Sequence, residues 1–482
     1  MLFTLVQGLI PTQIGQLQNL KQLTLLGNQF IGNIPTQIGM LENLESLRLV
    51  FSSLSGNIPT EIGNLSNLKN LQLLNNSKIS GSIPSQIGNM INLESFIAFS
   101  NNLSAQIPTE IFKLERLRTL DLNKNILSGS IPTEIGMSSN LEVLDLSENN
   151  LILSIPTQIG NLIQLQQLNL QHNILNSSIP IEIGNLSLLL EIYLSYNHLF
   201  GSIPTEICLL NKLRTIDFSH NQLVSSIPTQ IGNLESLQQL FLHSNQLQSS
   251  IPTQIGNLAN LQQLFLHSNQ LVSSIPTQIG NLANLRQLYL HSNKLQLSVP
   301  TQIGNLESLQ QLFLQYNRLQ SSIPTQIGNL SNLSKLIAND NQFSGQIPDP
   351  IVNCRSLIEL DLSNNNFSGT IPAIFNLDLL QHLYLDNNQL SGSLPEITKI
   401  PSLTIFSACN NHLSGAIPSN FYLFINLTIL RLCHNQFTDQ LSTFPSSLRV
   451  VDISWNNITG VIWSLTAQEM YKQEKKFKHF LC

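Results

Sequence analysis

The chain has 482 residues and a formal net charge of −6, and only 10% of its residues are charged, against roughly 25% in average proteins. That balance leaves no basic footprint for nucleic acid, and no stretch approaches the roughly 20 apolar residues of a transmembrane helix. A compact protein of this length would divide into domains, yet no linker, charge run or change of composition interrupts the sequence.

Instead the chain rewrites one frame, LxxLxLxxNxLxxxIPxxIGxL, seen most plainly as IPTQIGNLANLQQLFLHSNQLVSS over 251–274. Its Asn falls at Asn28, at Ser52 in the single departure, then at Asn76, Asn101, Asn125, Asn149, Asn173, Asn197, Asn221, Asn245 and Asn269. It continues through Asn293, Asn317, Asn341, Asn365, Asn388, Asn411, Asn435 and Asn456, a step of 24 residues with rare slips of one and a short last repeat. A period of this length with apolar residues at fixed offsets is the signature of a leucine-rich repeat solenoid, which escapes the size limit because each repeat packs only on its neighbours. The expected fold is an α/β solenoid, a right-handed superhelix of about 19 repeats with one continuous parallel concave sheet. The repeat domain is placed at 1–463 with an incomplete first repeat, and a capping helix or tail at 464–482.

The frame follows from strand geometry. In LQQLFLHSN, Leu264 and Leu266 lie two apart and point inward with Leu240 and Leu242, while Gln263, Phe265 and His267 point outward. The Asn ladder (Asn221, Asn245, Asn269, Asn293 and Asn317) is expected to be buried, each amide bonding backbone groups where the chain leaves the sheet. Ile-Pro fixes an extended crossing. TQIGNLANL then returns over the convex side as a short helical turn, with Ile255, Leu258 and Leu261 closing the core.

The IPxxIGxL half of the frame, with strings such as LSGSIPTEIG (127–136) and LDLSNNNFSGTIP (360–372), resembles the plant-type subclass of leucine-rich repeats over nearly the whole chain. The best-known members are the extracellular portions of plant receptor-like kinases and receptor-like proteins, and the polygalacturonase-inhibiting proteins. The resemblance implies a curved, twisted solenoid that binds a ligand on its concave sheet, at the cell surface or outside the cell.

Taken along the chain, Met1 to Pro11 has the look of an apolar leader, but Thr4 falls in the Asn column and Ile10-Pro11 is in register. It is therefore read as half a repeat and not a signal peptide. With no cysteine-and-tryptophan cap before the first repeat, the chain is expected to be a fragment. Leu26, Val50, Phe51, Leu74 and Phe99 should make the first outward face apolar. Asp121, Asp145 and Asp217 then enter the central outward column, where LDLS is a common family spelling and no functional role is needed.

The middle repeats carry the candidate ligand-binding surface. Phe241, Phe265, Tyr289 and Phe313 share one outward column, flanked by His243, His267, His291 and Gln315 on one side and by Gln239, Gln263, Gln287 and Gln311 on the other. Adjacent strands lie about 4.8 Å apart, so these are ladders, with Phe241 and Phe265 expected to be exposed. An aromatic stripe rimmed by imidazoles and amides suits a peptide, a protein or an oligosaccharide; recent duplication would copy the same residues with no ligand at all. Two unit charges 5 Å apart in water repel by roughly 0.8 kcal/mol, so His267 is expected to titrate about one unit below about 6.5 and binding to weaken below about pH 6.

No metal is expected at the histidines, because Zn sites want four converging ligands and no carboxylate or thiol joins them. His, Ser and Asp recur only as parts of the repeat, and no phosphate-binding or kinase loop occurs. The chain is thus read as a non-enzyme without cofactor. Cys354 falls in an inward column. Cys409 and Cys433 occupy one outward column in consecutive repeats, about 5 Å apart and within disulfide range, but their parallel side-chain directions make two free thiols at least an equal expectation. Thr229, Thr253, Thr277, Thr301 and Thr325 form a convex ladder; such an array can bind ice, while Thr before a helical turn is also a favoured N-cap, and Ile181 and Ser85 interrupt it.

Glycosylation sequons occur at Asn64, Asn75, Asn102, Asn176, Asn185, Asn329, Asn332, Asn366, Asn426 and Asn457. Beyond Asn456, Trp463 stands where the repeat has Pro, and Thr466 with Glu469 forms a capping box before a helix whose stripe is Met470, Phe477 and Leu481. Two functions remain open: the ligand-recognition part of a receptor-like protein, and a secreted protein inhibitor or structural scaffold.

Overall fold

A computed structural model of the protein describes residues 7–27, 29–397, 402–438 and 444–459. The expectations placed on Thr4, Asn28 and the segment 464–482 lie outside these residues. The chain forms two compact units, Met1–Gln270 and Leu271–Cys482.

In the first unit, eleven described parallel strands from Gln22–Leu26 to Gln263–Phe265 pair in sequence order, one per repeat. In the second, eight do so from Gln287–Tyr289 to Val450–Asp452. Register is one repeat to the next, with Leu240 opposite Leu264 and Phe241 opposite Phe265. The alternation holds: Leu240, Leu242, Leu264 and Leu266 are buried, as are Ile255, Leu258 and Leu261 from the other side. This is the solenoid expected from the period.

The return segments are tighter than an α-helix. In Thr253–Asn257 the Ile255 N–H donates to the Pro252 carbonyl at 3.0 Å and the Leu258 N–H to Ile255 at 3.2 Å, a 3-10 turn, and the described residues contain no α-helix. Five residues are too few to reward the longer hydrogen-bond loop. The threonines do not cap these turns. Pro252 holds the N-cap in extended conformation, and Thr253 Oγ1 donates to Gln254 Oε1 at 3.3 Å. Thr229, Thr277, Thr301 and Thr325 do the same. The cap reading fails because the proline already supplies the extended residue one place earlier.

The glycine of IGNL is set by packing. A Cβ on Gly304 would lie 2.5 Å from the Gln326 carbonyl oxygen of the next turn, and one on Gly232 would lie 2.6 Å from that of Gln254. At these two places a Cβ would displace the next turn, whereas Phe112 and Cys208 fill the same place in their own repeats.

The Asn ladder is the joint of each repeat. Asn269 is buried; its Nδ2 donates to the carbonyls of Leu242 at 2.9 Å, Leu266 at 3.1 Å and His267 at 3.2 Å, while its Oδ1 accepts the Leu247 N–H at 3.0 Å. Asn221 and Asn245 repeat the pattern, as does Asn317 in the second unit, and Asn293 Oδ1 accepts the Leu271 N–H. These bonds hold the residue before each Asn in the left-handed region, at φ 53° for Lys124 and 54° for Ser268, a conformation that costs a non-glycine residue about 1 kcal/mol or more. At the one departure, Ser52 Oγ and Asn76 Oδ1 are buried without a partner.

After each Asn, short strands form a second parallel sheet. Eight run from Gln7–Leu9 to Ile174–Leu175 and a pair joins Phe200–Gly201 to Gln222–Leu223. In the second unit seven run from Gln296–Leu297 to Gln436–Thr438.

Candidate ligand-binding surface

The outward columns form as the strand period requires, and their rings pack on one another. In the first unit Phe241 and Phe265 have centroids 4.8 Å apart and planes tilted by 33°, and His243 stacks on His267 at 4.4 Å and 13°. Gln239 Nε2 donates to Gln263 Oε1 at 2.8 Å. In the second unit Tyr289 stacks on Phe313 at 4.4 Å and 6°, with His291 6.3 Å from each, and the Tyr289 hydroxyl donates to Gln311 Oε1. Gln287 Nε2 reaches Gln311 Oε1 at 3.4 Å. Phe241 and Phe265 are half-buried, not exposed as the alternation suggested, because each ring covers a face of the next.

The aromatic run is longer than this column. His172, Tyr196 and His220 stack at 4.1 and 4.0 Å, and His220 meets His243 edge-on at 5.1 Å. The stripe therefore continues through five repeats of the first unit by stepping one column sideways. These three residues occupy the left-handed position before the Asn, which a strand alternation treats as turn. Their 24-residue spacing in the sequence is the signal that marks them.

Burial sets the ionisation of this surface. It holds the His291 imidazole below its ordinary value. Burial also lowers His220, with His172 adding to the effect and Asp217 opposing it. For His291 the cause is therefore desolvation and not the like-charged neighbour expected for this column. The aspartates serve the backbone: Asp145 Oδ1 accepts the Ser147 N–H at 2.9 Å and its hydroxyl at 2.6 Å, and Asp217 does the same with Ser219. Burial pushes Asp121 up to about 6, with Asp145 adding, against opposing bonds from Asn123.

Other expectations fare unevenly. Leu26 and Phe51 are exposed and Leu74 and Phe99 half-buried, but Val50 is buried. It is shorter than Leu26, Leu74 and Phe99 of the same column and lies between Leu26 and Leu74, joined to them by neighbouring backbone bonds. Cys354 is fully buried, its thiol donating to the Ile327 carbonyl at 3.2 Å, and burial pushes it to about 12. Cys409 and Cys433 are joined in a disulfide with Cα atoms 4.6 Å apart, so the expectation of two free thiols does not hold; the ladder spacing itself lies within disulfide reach. The sequon residues Asn64, Asn102, Asn185, Asn329, Asn366, Asn426 and Asn457 are all exposed. No helix among the described residues is long and apolar enough to cross a membrane.

The family profile described as "Leucine-rich repeat region" matches residues 5–128, 139–273, 192–299 and 276–459. With the repeated strands, asparagine joints and 3-10 returns, this establishes that the chain belongs to the leucine-rich repeat family. No curated protein sequence matches it. Among solved structures it is similar to the ectodomain of the plant membrane receptor kinase GASSHO1/SCHENGEN3 from Arabidopsis thaliana, in complex with Casparian strip integrity factor 2. The identity is 38% and the TM-score 0.86, over 95% of this chain and 56% of that one. The Arabidopsis receptor kinase HAESA, in complex with the peptide hormone IDA and the co-receptor SERK1, is 34% identical with a TM-score of 0.89, over 97% and 79%. The plant peptide hormone receptor RGFR1, in complex with RGF2, is 33% identical with a TM-score of 0.74, over 95% and 85%. The chain thus spans little more than half the length of the GASSHO1 ectodomain.

Proposed function

We propose that the chain is the ligand-recognising part of an exported receptor-like protein, and that an extended peptide lies across the outward columns of the first unit. It would rest on Phe241, Phe265, His243 and His267, against Gln239 and Gln263. In the second unit Tyr289, Phe313, His291, Gln287 and Gln311 are read the same way. The observation that carries this reading is the ring-on-ring packing of His243 on His267 and Phe241 on Phe265. Stacking occupies ring faces within the columns and so withdraws them from a ligand. A sugar is best held on an aromatic face, whereas a peptide offers alternating carbonyl and amide groups to imidazole nitrogens and carboxamides. The solved HAESA complex contains a peptide hormone, which supports the peptide over the oligosaccharide. Export would make the exposed sequons available for glycosylation.

The test is a calorimetric screen of peptides and cell-wall oligosaccharides against the wild type, Phe265→Ala and His267→Ala. A peptide should bind the wild type, and Phe265→Ala should lose about ten-fold or more, the effect of removing an interface anchor. Equal binding by all three proteins would eliminate this surface, and a hit confined to oligosaccharides would eliminate the ligand class. An inhibitor or scaffold would instead bind a folded protein and neither library.

A further inference from the structure

We propose that the Cys409–Cys433 pair, when reduced, binds a borderline-soft divalent cation of the Zn2+ class with Asp452 as the third protein ligand. The two sulfurs and an Asp452 carboxylate oxygen all lie within 4.8 Å of one another. Three adjacent strands place them: Ile429–Arg431 pairs with Ile405–Ser407 on one side and Val450–Asp452 on the other.

The positions are braced independently of the sulfur–sulfur bond. The Asn410 N–H donates to the Cys433 carbonyl at 3.0 Å, the Cys409 N–H to Asp386 Oδ1 at 2.7 Å, and the Leu432 N–H to the Asp452 carbonyl at 2.7 Å. The Cys433 N–H donates to Cys409 Sγ at 3.0 Å, a bond that favours the thiolate, which is the metal-binding form. Asp452 Oδ1 is held by the Ser454 N–H at 3.1 Å and its hydroxyl at 2.7 Å, which fixes the carboxylate and leaves Oδ2 for the cation. Among the described lining residues, two thiolates, Asp452 and Asp386 against Arg431 leave a net negative site. A cavity of about 380 Å3 lined by Asp386, Ser407, Cys409, Arg431, Cys433 and Asp452 among others opens over it. Water can therefore complete a tetrahedral site of three protein ligands.

The chemistry balances as two separate steps. A dithiol or phosphine supplies two electrons, the sulfur–sulfur bond breaks, and each sulfur takes a proton from solvent. The cation then forms two metal–sulfur bonds and both protons return to solvent. The disulfide and the metal site exclude each other.

The experiment uses the full chain, in which Cys208 and Cys354 are buried and the last residue, Cys482, is replaced (Cys482→Ser); it is reduced with a phosphine, desalted without oxygen and titrated with Co2+, with circular dichroism recorded throughout. One equivalent should bind with a sulfur-to-cobalt charge-transfer band that Zn2+ displaces, and the oxidised protein should show none. Cys433→Ser should abolish the band. Asp452→Asn should lower affinity by about ten-fold or more, no less than the loss of an outer-shell partner. A folded, reduced protein with two titratable thiols and no band overturns the proposal, as does a band that survives Cys433→Ser or an affinity unchanged in Asp452→Asn. If reduction unfolds the chain, Zn2+ must restore the native spectrum, and failure to do so overturns it equally.

Discussion

Leucine in place of Asn269 would remove three donated bonds and one accepted bond while leaving the carbonyls of Leu242 and Leu266 and the Leu247 N–H away from water. Urea unfolding should show a loss of roughly 1 to 3 kcal/mol, the cost of such unpaired groups. A neutral result would count against the joint. Asp121 works in the opposite direction. Its carboxyl takes up a proton at about 6 in the folded chain, against an ordinary 3.8, chiefly through burial. The folded state therefore holds more protons than the unfolded state between these values, so the ionised group costs stability above pH 6 and the cost fades as pH falls toward 3.8. Discounted for the solvent that reaches it, Asp121→Asn should add on the order of 1 kcal/mol at pH 7. The gain should vanish near pH 4 in the same unfolding assay; an equal gain at both would refute the burial argument.

At the scale of the element, the strands were legible because Leu264 and Leu266 alternate with outward residues, and the returns because Ile-Pro forbids helix until the proline has passed. Less was legible after each Asn. Most strands of the second sheet hold one buried apolar residue, such as Leu127, Phe343 or Leu390, among polar and glycine residues, and a single apolar position sets no strand period. The threonine cap was misplaced by one residue because a proline can itself hold the extended N-cap conformation. The glycine between turns gave no signal as a packing residue, since its role lies in the carbonyl of the next repeat. Gly304→Ala should destabilise by about 1 to 3 kcal/mol through overpacking against Gln326. An unchanged denaturation midpoint would mean that the turns can separate.

For the molecule as a whole, repetition made the family and the repeat frame plain and left the ligand obscure, because duplication writes structural and functional residues with the same regularity. Phe241 and His243 were found by column; His172, Tyr196 and His220 were missed because the stripe changes column where the chain turns. The disulfide depends on the one-repeat spacing, which follows from the period, and on side-chain directions, which do not. The peptide titration has a pH arm at this scale. Burial keeps His220 and His291 below their ordinary values, so both are neutral at pH 7 and acid would charge them beside apolar ring edges. A neutral or cationic peptide should bind more weakly at pH 5 than at pH 7, and equal or tighter binding would show that the imidazoles do not meet it.

The left-handed residue before each Asn has a bearing on how such a surface can change. Lys124, Glu148, Tyr196, Asp340 and Trp455 all hold φ between 52° and 55° there, although they share neither size, charge nor shape. The backbone is fixed by the amide of the following residue, so the identity at this place is released from the task of folding. Such positions are free variables in an otherwise tightly constrained text: drift, selection or a randomised library can rewrite a row of them without composing the scaffold anew. Recognition in this protein can accordingly evolve faster than the architecture that displays it.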